Sequence, residues 1–341
     1  MYKAIGIAGF GAFGFAMAKY ISRQLAEMHQ DDSKVYIYDA DHALMSHLER
    51  KRRHKYLFKK VNLEENIIIS SSAADLFKES ELVVMCIPVQ KVRPFLQSVK
   101  KHITEGTIIL NSAKGMEYKT GNTVQDIFRD VIGGSVAYKY AFISGGMIAS
   151  EFIRSEGVFA ADLCCNNRKT RDRLRSLFAS ETLSINTLND VKSSETLSAL
   201  KNVVAIGVGF LEGLEYQYST KALFIAASFQ EIRSYSYSVS SAARKNAGGL
   251  STAFIGDYIT STTGDTRNKE LGQLVGKGKN PHEAVVLLSN RNKTAEGFWT
   301  VRAIADALKM YKERFPILNM IYEILHESRD VHDIIRFMDK R

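Results

Sequence analysis

Cysteine, proline and tryptophan are scarce in this chain of 341 residues, which holds three, four and one of them. Cys86 and the adjacent Cys164 and Cys165 cannot form a disulfide framework and offer no CxxC spacing for zinc, so a reducing compartment is expected. The histidines are scattered, with no two at ligand spacing beside a carboxylate, and no metal site is expected. Long apolar runs are missing as well. The longest candidate, Val203 to Leu211, is interrupted by glycine and falls short of the roughly 18 residues a membrane span needs. The start, MYKAIGIAGFG, enters a strand pattern without the basic segment and long apolar core of a signal peptide. The end, Met338-Asp339-Lys340-Arg341, carries no peroxisomal or retention signal. A cytoplasmic location is the expectation.

What is present describes an ordinary globular chain. Hydrophobic residues make up 45% and charged residues 24%, and a length of 341 exceeds what one core usually supports, so two domains are expected. The formal charge of +9 suits an anionic substrate or cofactor, and it also suits nucleic acid. The most basic stretch, Arg50 to Lys60, is predicted on a helix beyond the second strand with its charges in solvent. Only Tyr56 and Phe58 interleave it, which argues against a nucleic-acid patch and leaves a supporting role beside a cofactor as a further option.

Along the chain, a strand over residues 3 to 8 runs into Gly9-Phe10-Gly11-Ala12-Phe13-Gly14, and a helix follows from Phe15 to Met28. Strand, glycine turn and helix in this order form a dinucleotide fingerprint. Gly9 permits the tight turn, Gly11 lets the backbone approach a pyrophosphate, and Gly14 lets the helix pack on the strand. The helix N-terminus offers free N–H groups to the phosphates. A second strand, Lys34 to Tyr38, ends at Asp39, whose carboxylate would accept ribose hydroxyls and repel a 2'-phosphate. NAD is therefore the expected cofactor, with NADP the second choice. Further strands at 66–69, 82–87, 107–110, 140–143, 157–163 and 182–186 alternate with helices, the pattern of a parallel sheet. Three loops follow strand ends, where chemistry gathers in such sheets: Pro88 to Gln90, Asn111 to Gly115 with Lys114, and Ser144 to Glu151 with Ala149. The fold class is α/β, with an N-terminal doubly wound Rossmann-type parallel sheet over residues 1–192 and an all-helical C-terminal domain over 193–341.

In the helical part, Glu195 to Gly213 reads as a helix with almost no polar side. Lys201 sits in its middle, and a lone buried ammonium costs several kcal/mol unless it is paired or solvated. Two readings stand: a snorkelling lysine on a core helix, or a lysine that holds a ligand and a carboxylate. A helix over Lys221 to Ala242 and a glycine-rich stretch from Gly248 follow, then helices through Asp339. The stretch from Gly249 to Asn268 is polar where a core helix should be apolar, and Asp257 in it is the candidate counter-charge for Lys201. Arg267 and Asn268 are adjacent, and a guanidinium clamps phosphate through two parallel bonds. A helix start with solvated charges explains the same stretch equally well.

Taken together, the residues GFGAFG at 9–14, SAKG at 112–115, ALKNVVAIGVGFLEGL at 199–214, GDYIT at 256–260, Arg267-Asn268 and Glu296-Gly297 resemble the NAD-dependent glycerol-3-phosphate dehydrogenase family. The resemblance covers nearly the whole chain. It implies that Lys201 is the catalytic lysine with Lys114 and Asp257 at its side. It implies a substrate site of Lys114, Asn202, Ser261, Arg267 and Asn268 for a small phosphorylated molecule. It implies that Pro88, Lys114, Ala149, Arg267 and Glu296 join the residues 9–14 and Asp39 around the cofactor, in a homodimer. Met147 departs from the family, standing where a small polar residue is usual, and so another phosphorylated or carboxylated hydroxy compound is the alternative substrate. Gln90 and Lys91, after Pro88, are a second departure.

Overall fold

The computed structural model describes residues 2–134, 136–154, 157–240 and 251–338. Ala242, Gly248, Gly249 and Asp339, where several expected elements end or begin, lie outside the described residues. The chain divides into two units. The first comprises Met1–Ile87, Lys91–Ala113 and Gln125–Val191, and the second Pro88–Gln90, Lys114–Val124 and Lys192–Arg341.

The first unit alternates β1 (Ala4–Ala8), α1 (Ala12–Glu27), β2 (Lys34–Tyr38), α2 (His42–Lys51), β3 (Ile67–Ile69), α3 (Ala73–Glu79) and β4 (Leu82–Met85). It continues through α4 (Val89–Val99), β5 (Ile108–Asn111), α5 (Val124–Ile132), β6 (Lys139–Gly145), α6 (Ala149–Arg154), β7 (Phe159–Cys164), α7 (Arg168–Phe178) and β8 (Leu183–Leu188). Helices α4 and α5 contribute their first residues to the second unit. The strands pair in the order β3-β2-β1-β4-β5-β6-β7-β8. Central strands such as Leu82–Met85 are buried at every position, as expected where helices cover a parallel sheet. Strand order reverses between β1 and β4, and ligands of such sheets bind at that switch point. The sheet is mainly parallel, with β6 and β7 antiparallel. Periodicity does not reveal that reversal, because a run of apolar residues reads the same whichever way the strand points.

The basic stretch departs from expectation. Helix α2 stops at Lys51 because Arg52 turns left-handed, at φ +52°, and its N–H closes on the Leu48 carbonyl. Beyond it the chain is non-helical, with Arg53 bridged to Asn62. Two cations of this stretch serve the fold. Arg52 donates to the Ile67 carbonyl at 2.9 Å, and Arg53 bonds the Asn62 side chain.

The second unit is helical, with α8 (Val191–Gly213), α9 (Tyr218–Val239), α10 (Thr252–Thr263), α11 (Arg267–Gly276), α12 (Pro281–Asn290), α13 (Glu296–Ala303), α14 (Ala305–Met310) and α15 (Pro316–His326). Its core gathers Leu200, Val203, Val204, Phe210 and Leu211 of α8 with Phe224, Leu271, Phe298 and Ile321. Helices α8 and α11 cross with their backbones in contact. Gly209 and Gly213 on one face meet Gly272 and Gly276 on the other, four residues apart on each helix. A Cβ at Gly272 would stand 2.0 Å from the Ile206 carbonyl, and one at Gly209 would stand 2.2 Å from that of Lys269. No described helix is long and apolar enough to cross a membrane.

Replacing Gly272 with Ala must push these two backbones apart. The expected cost is about 1–3 kcal/mol, the range for overpacked interiors, read as a lower midpoint in urea unfolding. An unshifted midpoint would show that the crossing is not close-packed.

Candidate active site

In the first unit the glycine turn sits at the switch point. Gly9 has φ +91°, and a Cβ there would lie 2.7 Å from the Cys86 carbonyl, so only glycine fits. A Cβ at Gly14 would lie 2.0 Å from the Gly9 carbonyl, which is why the helix can start this close to the strand. Gly11, by contrast, faces open space at the N-cap of α1, with Ala12 and Phe13 beginning the helix half-buried. The Phe10 side chain is buried, and its N–H donates to Asp39 Oδ2 at 2.6 Å. Asp39 Oδ1 accepts the N–H of Asp41 at 2.9 Å. Asp39 thus ties β2 to the turn while keeping lone pairs for a ligand. Ala149 opens α6, half-buried against the core of this unit, and Met147 is buried in that core. A bare backbone cradle at a helix N-terminus with a carboxylate beside it fits a dinucleotide.

In the second unit a buried ion cluster forms around Asp257. Asp257 and Ser261 lie one turn apart on α10 and so share a face. Lys201 Nζ donates to Asp257 Oδ1 at 2.7 Å and to Ser261 Oγ at 2.6 Å. Lys114 Nζ donates to Asp257 Oδ2 at 2.9 Å. The Lys201 and Asp257 side chains are 4% and 5% exposed, and that of Lys114 is 23% exposed. Lys201 therefore does not snorkel. Burial pushes its pKa down to about 8, with Asp257 opposing and Lys114 assisting that shift. Burial works against ionisation of Asp257, but the two ammonium groups outweigh it and hold the carboxyl below its ordinary range.

The neighbouring residues are linked to this cluster. Asn202 Nδ2 donates to the Lys114 carbonyl at 3.1 Å, and Gly297 packs on the Asn202 carbonyl so closely that a Cβ would stand 2.5 Å away. Asn268 Oδ1 accepts the Gly297 N–H at 3.0 Å. Arg267, at the first position of α11, is exposed, with Thr266 capping the helix. A guanidinium at a helix N-terminus is a natural oxyanion site. Glu296 Oε2 is buried without a hydrogen-bond partner, 3.1 Å from where a Gly115 Cβ would be. Burial raises the Glu296 pKa to about 7, with Arg267 and the Val89 N–H opposing. An orphaned buried oxygen of this kind fits an amide or hydroxyl of a bound ligand. Pro88 is exposed, and Gln90 after it ties the backbone of Met116 and Tyr118 together. The sequence motifs missed the burial of Glu296, because an acid opening a helix ordinarily reads as a solvated dipole partner.

The comparisons with known proteins cover the same two parts. Residues 4–170 match the model of the NAD-dependent glycerol-3-phosphate dehydrogenase N-terminus, and residues 190–336 match that of its C-terminus. A glycerol-3-phosphate dehydrogenase [NAD(P)+] of Syntrophomonas wolfei is 25% identical over 338 residues, covering 99% of this chain and 94% of that protein. One of Brachyspira hyodysenteriae is 28% identical over 335 residues, covering 97% and 95%. The crystal structure of glycerol-3-phosphate dehydrogenase from Coxiella burnetii shares the fold, with a TM-score of 0.86, 19% identity and 99% of each chain covered. The chain belongs to the NAD-dependent glycerol-3-phosphate dehydrogenase family.

Removing Asp257 leaves Lys201 buried beside a second cation. Asp257→Ala should lose about 3–5 kcal/mol of stability at neutral pH, the cost of breaking a buried pair. The sign with pH follows from Lys201, whose folded pKa lies below its ordinary 10.5. Without Asp257 the folded-state pKa of Lys201 falls further still, so the deficit should shrink as pH rises to about 8 and stay level above it, where Lys201 is neutral in both folded proteins. Urea unfolding of both proteins from pH 6 to 10 measures this, and a deficit that does not shrink between pH 6 and 8 would refute the pairing argument.

Proposed function

We propose that the chain reversibly reduces dihydroxyacetone phosphate to sn-glycerol 3-phosphate with NADH, accepting NADPH as second choice. The observation that carries this reading is the buried Lys201–Asp257–Lys114 cluster, two cations sharing one carboxylate. NADH, when bound at the glycine turn and Asp39, supplies the hydride that the ketone carbon accepts. Two of the three N–H groups of Lys201 are engaged by Asp257 and Ser261, leaving one for the substrate oxygen. As negative charge builds on that oxygen, a fixed ammonium gains more than it does with the neutral ketone, and so it lowers the barrier. Lys201 then passes its proton to the oxygen, which completes the secondary alcohol. Asp257 keeps Lys201 oriented, and Lys114 keeps the cluster net positive.

Arg267, at the head of α11, and Asn268 take the phosphate, with Asn202 beside Lys114 on the substrate. Pro88, Ala149 and Glu296 complete the cofactor contacts. On this reading residues 1–192 serve mainly the dinucleotide and 193–341 the chemistry, with Lys114 and Glu296 the exceptions. Family membership and the relatives' names support this substrate. Met147, the departure that argued for a different one, has its side chain in the core of the first unit. A cytoplasmic homodimer supplying glycerol phosphate to glycerophospholipid metabolism completes the reading, on the family resemblance.

Steady-state assays of NADH oxidation with dihydroxyacetone phosphate test it. Lys201→Ala should lower turnover about 10³-fold, the usual effect of losing a positioned acid, while NADH still binds. In the wild type, ketone reduction should slow as pH rises through about 8, because the donor must be protonated. Turnover that survives Lys201→Ala would remove the lysine from the mechanism. Arg267→Ala should raise the KM for dihydroxyacetone phosphate by about 30-fold or more, from the loss of roughly 2 kcal/mol in a charged hydrogen bond. An unchanged KM would refute the phosphate clamp.

A further inference from the structure

His54, in the non-helical part of the basic stretch, is 3% exposed and packs on the glycine turn. Its ring stacks on Phe10 with centroids 6.1 Å apart and meets Phe15 edge-on at 5.7 Å. Its two nitrogens do different work. Nδ1 lies 3.2 Å from the Tyr56 N–H and 3.0 Å from the Leu57 N–H. Both of those groups are donors, so Nδ1 must be the acceptor, and in a neutral imidazole that leaves the hydrogen on Nε2. Nε2 lies 2.9 Å from the Phe10 carbonyl and therefore donates to it.

Phe10 is thus clamped on both sides, its N–H by Asp39 and its carbonyl by His54. The next peptide N–H belongs to Gly11, which is the position that faces open space. A trans peptide is planar, with its C=O and N–H pointing in opposite directions. Holding the Phe10 carbonyl towards His54 therefore aims the Gly11 N–H to the side opposite the His54 ring, at the N-cap of α1.

We infer that His54 is a positioning residue for the dinucleotide: through the Phe10 carbonyl it sets the direction of the Gly11 N–H that receives the cofactor phosphate. The inference rests on the proposed use of a nicotinamide dinucleotide. Burial keeps the ring neutral by lowering its pKa below the ordinary 6.5, which preserves the acceptor at Nδ1. The alternative role, closing the loop over Tyr56 and Leu57, uses Nδ1 alone. The two roles reside in different nitrogens, so they separate by substitution.

Glutamine places an N–H donor near the Nε2 position, and asparagine places an acceptor near Nδ1 without reaching Phe10. Titration with NADH, followed by its fluorescence, should give His54→Gln a Kd within threefold of wild type and His54→Asn a Kd about tenfold weaker. Tenfold is about 1.4 kcal/mol, the size of one lost buried hydrogen bond. The reverse order would assign His54 to loop closure only and overturn the inference. Equal affinity in the two variants, whether strong or weak, would overturn it as well. Thermal unfolding checks that each variant is folded, and His54→Ser, whose hydroxyl caps the same amides, replaces asparagine if that protein does not fold. A wild type that binds NADH but leaves dihydroxyacetone phosphate unreduced refutes the proposed reaction and leaves this comparison standing.

Discussion

The second unit depends on keeping an ammonium charged where water is almost excluded. Lys201 lies on α8 among Leu200, Val203 and Val204 of the core, and its ammonium is met by Asp257 and Ser261. Desolvation alone would drive the proton off, and the carboxylate alone would fix it too firmly to leave. The two effects oppose each other, and the balance falls at a pKa of about 8. Lys114 adds a further charge to Asp257 from a more exposed position, so the cluster holds two positive charges against one negative. Such a cluster is poorly compensated without an anion, which matches the excess of basic residues across the chain.

Glycine supplies the geometric half of the design in both units, by different means. At Gly9 and Gly14 it lets a strand and a helix approach until their backbones touch. On α8 and α11 the four-residue spacing does the same for two helices, and this contact fixes the head of α11, with Arg267 and Asn268, relative to Lys201 and Asn202. Asn268 and Gly297 then tie α13, and with it Glu296, into the same group. Polar contacts alone would leave these helices free to slide, whereas close backbone packing leaves little room for movement.

Much of this was legible in the residues themselves. Apolar runs such as Leu82–Met85 declared central strands, and the glycine spacing after Ala8 declared the turn. Charge complementarity alone paired Lys201 with Asp257, although 56 residues separate them. Other features were hidden for identifiable reasons. The basic stretch looked helical because its composition suits a helix, and only the left-handed turn at Arg52 ends it. His54 looked like one more polar residue in a charged run, because the partner of its ring is a backbone carbonyl 44 residues away. The antiparallel direction of β7 was hidden because hydrophobic periodicity is blind to the sense in which a strand runs. The facing glycines of α8 and α11 are visible singly, but nothing in either helix names the other.

The second unit is not one continuous piece of chain. Residues 114–124 belong to it although they lie between two strands of the sheet, and they carry Lys114. An excised fragment starting at Lys192 would retain Lys201, Asp257 and Arg267 yet leave Asp257 with one cation in place of two. Transplanted by itself, that helical fragment would therefore carry an incomplete set of charges around Asp257. The completing ammonium is encoded upstream, in residues 114–124.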